Sequence, residues 1–214
     1  MRLRKVKYAM AKISSYPELM ILDPENHRGS WQSLFQKSQP IHLEIGIGKG
    51  KFIHELAQSH PEINFIGIEK YDSVIVRALE RLIDSPLPNV ILIYGDAEKI
   101  TSYFEKGEIN HLYLNFSDPW PKNSHKKRRL THPLFLERYQ SILSKDGLVE
   151  FKTDNFGLFE YTMMTLVESN AIFHELSLNL HQQTDKEIVM TEFETKFTQM
   201  GFPIYYISFQ LKES

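Results

Sequence analysis

The residues from Leu112 to Leu130 concentrate the groups with the greatest chemical reach in this chain. Asp118-Pro119-Trp120-Pro121 places a carboxylate beside two prolines and a broad aromatic ring. Prolines fix the backbone, so acceptors in such a turn are pre-placed. That suits orienting a reactant. A bare Asp-Pro turn accounts for two of these residues but not for the tryptophan or the cations that follow. Those cations are Lys122, Lys126, Lys127, Arg128 and Arg129, interleaved with Ser124 and His125 and with no acid. Residues 1–12 form a second basic segment, with Arg2, Arg4, Lys5, Lys7 and Lys12 and again no acid. The two segments hold ten of the 25 basic residues, so the remainder has 15 bases against 27 acids although the net charge is only −2. One basic run alone reads as a solvated face. Two on an acidic body create local positive fields and point to a polyanionic partner.

A different chemistry is suggested upstream. Leu43-Glu-Ile-Gly-Ile-Gly-Lys-Gly50 runs from apolar residues into Gly46, Gly48 and Gly50, which permit a tight turn and let a ligand lie against bare backbone. A dinucleotide fingerprint wants glycine where Lys51 stands. Glu44, just before the turn, would repel a pyrophosphate but suits a ligand bearing an ammonium, such as S-adenosylmethionine, which has no phosphate. Glu69 closes Phe65-Ile-Gly-Ile-Glu69, 19 residues after Gly50, where an acid can accept from both ribose hydroxyls. Asp96 follows Ile91-Leu-Ile-Tyr-Gly95, near where an adenine amine needs an acceptor. The plainer role for Glu69, Asp72 or Asp96 is to cap a helix. Acids at successive strand ends after a glycine turn are what a nucleoside laid across a sheet requires.

The elements that must position these groups are legible as periodicity. Ile41–Ile45, Asn64–Ile68, Val90–Tyr94, His111–Phe116, Gly147–Lys152, Ile172–Leu180 and Ile204–Leu211 read as strands. Lys51–Ser59, Asp72–Asp84, Ala97–Phe104, Pro133–Leu143 and Phe156–Ser169 read as helices. The first four strands are apolar almost throughout, as strands covered on both faces are. The alternation predicts an α/β fold with a parallel sheet wound by right-handed crossovers. No long helix separates the last two strands, so a terminal antiparallel pair is expected. The chain reads as a basic arm over residues 1–38 and a single domain over 39–214, a length that buries a full core.

Composition narrows the chemistry further. With no cysteine there is no disulfide, no thiolate zinc site, no iron–sulfur cluster and no cysteine adduct for ring-carbon methylation. Of the nine histidines, neither His125 and His132 nor His174 and His181 have metal-ligand spacing with a carboxylate, so no metal is expected. No apolar stretch approaches the roughly 18 residues of a membrane span, and the start has no apolar run behind its charges. The expected setting is the cytoplasm, away from any membrane.

The motifs Leu43–Gly50, Phe65–Tyr71, Gly95–Glu98, Asn115–Leu130, Phe151–Asn155 and Thr191–Phe197 together resemble those of the bacterial tRNA (guanine-N7-)-methyltransferases, over about residues 41–211. The resemblance implies a class I S-adenosylmethionine-dependent methyltransferase fold: a Rossmann-like sheet with helices on both faces and a terminal antiparallel strand. It implies that Glu44, Gly46, Gly48, Gly50, Glu69, Asp96, Ala97 and Asp118 contact S-adenosylmethionine and that Asp118 is catalytic. It further implies that Lys122, Asp154, Thr191, Glu192, Phe193 and Glu194 contact substrate and that Ser124, His125, Lys126, Lys127, Arg128 and Arg129 touch tRNA. The implied product is 7-methylguanosine at guanine 46 of the variable loop, made by a monomer or a homodimer. Three positions depart from the common pattern: Asn123-Ser124 after Lys122, Lys7-Tyr8-Ala9 where a Pro-Trp pair is frequent, and Phe193 where tyrosine is frequent.

Guanine N7 has an in-plane lone pair and no proton to lose, so the implied reaction needs alignment and negative charge rather than a strong base. The Watson–Crick edge of guanine offers donors at N1 and N2, which one carboxylate can accept as a pair. Asp154 and Glu194 are the expected readers, although Thr191 and Glu194 also spell a capping box. Two other readings stay open on the residues alone. One is a methyltransferase for a protein or small molecule, because a fold does not specify a substrate. The other is an RNA-binding module whose cofactor pocket is only structural. A dehydrogenase is disfavoured by Lys51.

Overall fold

A computed structural model describes residues 6–182 and 188–212. Arg2, Arg4 and Lys5 of the first basic segment lie outside the described residues. The chain runs α1 (Ala9–Ile13), β1 (Met20–Ile21), β2 (Ile41–Ile45), α2 (Lys51–Ser59), β3 (Asn64–Glu69), α3 (Asp72–Asp84), β4 (Val90–Tyr94) and α4 (Ile100–Tyr103). It continues through β5 (Ile109–Asn115), α5 (Pro133–Ile142), β6 (Leu143–Thr153), α6 (Phe156–Glu168), β7 (Ile172–Ser177), α7 (Glu192–Gln199) and β8 (Tyr205–Gln210).

The strands form one sheet in the order β1-β4-β3-β2-β5-β6-β8-β7. The β1 to β6 neighbours pair in parallel, and β8 lies antiparallel between β6 and β7. The expected terminal antiparallel pair is present, with β8 inserted rather than added at the edge. The chain winds outward from β2 through β3 to β4, then returns to start again at β5. The crevice between β2 and β5 is therefore the topological switch point, where ligands of such sheets bind.

Alternate side chains of the strands feed two cores. Ile66 and Ile68 join the face covered by α5 and α6, with Phe135, Tyr139, Phe159 and Leu166. Phe65 points the other way, to Phe52, Ile53, Ile75 and Leu79 of α2 and α3. Gly67 lies on that second face, where a Cβ would come within 2.9 Å of Ile47 and Ile53, so its absence lets α2 approach.

The stretch before residue 39 carries more than charge. Ala9 and Ile13 are fully buried against α3, and Met20 pairs with Leu92 to extend the sheet. Trp31 is fully buried, and its Nε1 donates to the Tyr103 carbonyl at 2.7 Å. A two-residue strand and single 3-10 turns have no periodicity to read. The predicted helix Ala97–Phe104 is split for a similar reason: a 3-10 turn over Ala97–Lys99 precedes α4.

Candidate functional site

A cleft of about 440 Å³ opens at the switch point, lined among others by Gly46, Glu69, Asp96, Ala97, Asn115, Ser117, Asp118 and Trp120. Its floor begins at the glycine turn. Gly46, Gly48 and Gly50 have φ of 78°, 58° and 74°, a left-handed backbone that other residues adopt only under strain. At Gly46 and Gly48 a Cβ would meet nothing within 4 Å, so the turn faces open space. Gly50 has a second reason: a Cβ there would lie 2.7 Å from that of Ala78, where α3 crosses the start of α2.

Glu44 sits under this turn and is only 3% exposed. Its Oε1 accepts from Asn115 Nδ2 at 3.0 Å, while Oε2, Asn115 Oδ1 and Ser117 Oγ are buried with no partner among the described residues. Burial raises the Glu44 pKa to about 7, against the lowering effects of the Asn115 hydrogen bond and Lys152. Orphaned acceptors of this kind are costly, and an ammonium donor would satisfy them. The S-adenosylmethionine expected from the sequence fits this donor set.

Glu69 ends β3 at the cleft wall. Its Oε1 accepts from the amides of Lys70 and Tyr71 at 2.8 and 3.1 Å, and Oε2 from Gly48 at 3.3 Å. The N-cap of α3 is Tyr71, with no side-chain cap, so Glu69 buttresses the glycine turn and does not cap the helix. Desolvation raises its pKa, and the three amides oppose that rise. Asp96 does cap: it accepts from Glu98 N at 3.0 Å while lining the cleft beside Ala97.

The loop after β5 brings Asp118 to the cleft mouth, where it is exposed. Phe116 and Trp120 hold φ of 52° and 42°, left-handed values that bulky residues adopt only when their surroundings impose them. Lys122, Ser124, Lys126, Lys127 and Arg128 are exposed along or beside a 3-10 turn over Asn123–Arg128. His125 packs edge-on to Trp120, and the Arg128 guanidinium lies 4.9 Å from that ring's centre. Arg129 faces inward instead, donating to the carbonyls of Pro119 and Trp120, both at 3.1 Å.

A second hollow, of about 200 Å³, shares Gly46, Asn115 and Phe116 with the first and is also lined by Glu44, Lys51, Phe52, Thr191, Glu192 and Phe193. Phe193 stacks on Phe197 at 4.1 Å and leans on Phe116 at 5.1 Å. Glu192 pairs with Arg81 at 2.9 Å. Asp154 is half-buried just after β6 and is among the lining residues of neither hollow.

Glu194, expected from the sequence at the guanine edge, lies inside the protein instead. Its carboxylate is fully buried, accepting from Thr191 N at 3.2 Å, paired with Lys152 Nζ at 3.4 Å and bonded to His181 Nε2 at 2.9 Å. Thr191 Oγ1 accepts from Glu194 N at 2.9 Å, completing the capping box. With both oxygens engaged and no exposed edge, Glu194 is not placed to receive a base. It fastens the start of α7 to β6.

Three features here have little or no signature in the sequence. Asn115 holds Glu44, and its only signal is an amide ending an apolar strand. Lys152, 4% exposed, shares a sheet face with Asn115 because the two are register partners. Leu130 and Phe135 wall the first cleft, but apolar residues in a loop and a helix carry no chemical signal of their own.

A family model described as "Putative methyltransferase" matches residues 38–207. The chain is 52% identical over 207 residues to a tRNA (guanine-N(7)-)-methyltransferase of Bacillus cytotoxicus, covering 97% of this chain and 95% of that one. Among solved structures, the 16S rRNA methyltransferase KamB superposes with a TM-score of 0.66 at 13% identity, over 86% of this chain and 94% of that one. A 16S rRNA (adenine(1408)-N(1))-methyltransferase variant from Catenulisporales acidiphilia, with cosubstrate SAM, gives 0.61 at 12% identity, over 90% and 92%. The two structures speak for the fold alone. The glycine turn under an acid-lined cleft, the family match and the similar relative agree, and the chain belongs to the tRNA (guanine-N(7)-)-methyltransferase family.

Proposed function

We propose that this chain methylates N7 of guanine in tRNA from S-adenosylmethionine, at guanine 46 of the variable loop. The observation that carries this reading is that the two hollows meet at Gly46, Asn115 and Phe116, and that Arg128 of the basic 122–129 segment lines the first. A donor laid along the first, with its ammonium end reaching Glu44 at the edge of the second, would face a base resting on Phe116 and Phe193.

The cofactor supplies an electrophilic methyl on a sulfonium. Glu44 and Asn115 would hold the ammonium end, Glu69 would take the ribose hydroxyls, and Asp96 with Ala97 would border the adenine. Phe193 and Phe116 offer ring faces on which a purine can stack, and Asp154, just beyond β6, is the carboxylate left to accept from its Watson–Crick edge. As N7 takes the methyl, the carbon–sulfur bond would break in line and S-adenosylhomocysteine would leave; Asp118 would offset the positive charge that spreads into the purine. Lys122, Lys126, Lys127 and Arg128, with Ser124 and His125, meet phosphates around the base and set the register of the tRNA.

The test is incubation with an unmodified tRNA transcript and labelled S-adenosylmethionine, followed by nucleoside analysis. 7-Methylguanosine at guanine 46 is the expected product, and a transcript with adenine there should stay unlabelled. Label in another nucleoside, or in protein only, would overturn the reading.

A further inference from the structure

We propose that Arg129 is a positioning residue that holds the Asp118 loop in its reactive shape and contacts no RNA phosphate. The proposal rests on the function just given, and its observations are geometric. Arg128 and Arg129 are adjacent cations with opposite fates. Arg128 is exposed, whereas Arg129 is half-buried.

Arg129 makes three distinct contacts. Its Nε donates to the Pro119 carbonyl and its Nη2 to the Trp120 carbonyl, both at 3.1 Å. Its guanidinium carbon lies 4.3 Å from the centre of the Tyr161 ring on α6. One planar fork therefore spans two successive carbonyls of the Asp118–Pro121 turn and ties that turn to a helix of the core. The turn needs such a hold, since Trp120 stands at φ of 42°, a backbone state that does not persist unless its surroundings impose it. Lysine has a single point charge and no plane, so it cannot bridge both carbonyls while stacking on the ring.

The two roles predict different data. Removing a cation that neutralises a phosphate lowers the salt slope of tRNA binding by about one unit and weakens affinity. Removing a cation that only positions the loop leaves the slope alone and slows methyl transfer at saturating tRNA. The protein also carries its own reporter, because it has only two tryptophans and Trp31 is fully buried. Acrylamide quenching therefore reads Trp120.

The experiment compares Arg129→Ala, Arg129→Lys, Tyr161→Leu and Arg128→Ala with the full-length wild type. Both Arg129 variants should keep the wild-type salt slope, lose at least tenfold in single-turnover rate at saturating tRNA, and quench more readily. Tyr161→Leu should show the same changes in weaker form, which keeps the test open if Arg129→Ala folds poorly. Arg128→Ala should lower the slope by about one unit and keep the single-turnover rate at saturating tRNA; quenching is compared only among the Arg129 and Tyr161 variants, because Arg128 itself covers the Trp120 ring. A lowered slope with a preserved saturated rate in Arg129→Ala would overturn the proposal, as would full rescue by lysine. If the wild type itself methylates no tRNA, the functional reading fails instead. Quenching then decides on the loop alone, and unchanged quenching in Arg129→Ala would refute the hold.

Discussion

Glu44 gives the sharpest quantitative expectation. Its carboxyl is 3% exposed, one oxygen is bonded to Asn115, and the other has no partner among the described residues. Burial lifts its pKa to about 7. An ammonium at the unpartnered oxygen selects the ionised form, so cofactor binding must release whatever proton is present. With a pKa near 7, about half of the protein is ionised at pH 7 and about a tenth at pH 6, so affinity should fall roughly fivefold across that unit. Calorimetric titration in buffers of different ionisation enthalpy should count about half a proton released at pH 7 and nearly one at pH 6. The ligand's own α-amine titrates near 8, so the window stays at or below pH 7. Glu44→Gln should abolish this proton release and weaken binding by about 1.5–3 kcal/mol relative to the ionised wild type, the worth of a charge-assisted bond. The free protein responds with the opposite sign. A raised folded-state pKa contributes stability that is full below the unfolded value near 4.5 and is lost as pH rises through about 7. Unliganded Glu44→Gln at pH 8 should therefore melt no lower than wild type while binding more weakly. A flat affinity from pH 6 to 7 with no proton release would refute the reasoning.

Three further outcomes follow from the geometry. Asp118→Ala should cut the single-turnover rate far more than tRNA affinity, since the charge it offsets appears in the transition state; equal losses in rapid-quench and filter-binding assays would remove it from that role. Replacing Lys126, Lys127 and Arg128 together with alanine should lower the salt slope of tRNA binding by up to about three units, read by binding at several salt concentrations. Glu194→Gln should lower the melting temperature, because it strips the counter-charge from a Lys152 ammonium that is only 4% exposed. Breaking such a pair costs about 3–5 kcal/mol, and a wild-type melting curve would count against the buried pair.

What the sequence disclosed followed the reach of each signal. Ile41–Ile45 and Val90–Tyr94 are continuous apolar runs, and Lys51–Ser59 and Asp72–Asp84 have a helical stripe; all four occur with the bounds that periodicity predicts. The glycine turn was equally plain, since only glycine suits three left-handed positions in five residues. Side-chain direction was another matter. Thr191 and Glu194 show a capping box in four letters, but the partners that bury Glu194, Lys152 and His181, lie 42 and 13 residues away. No local pattern reveals that the carboxylate is already taken. The same limit separates Arg128 from Arg129, two identical letters in one basic run. Arg129 turns inward because the Asp118 loop presents two carbonyls and α6 presents the Tyr161 ring, and both arrive only with the tertiary fold. Charge in a sequence thus bounds how many cations are available to a polyanion, while the loop's own unmet hydrogen bonds decide how many remain for it.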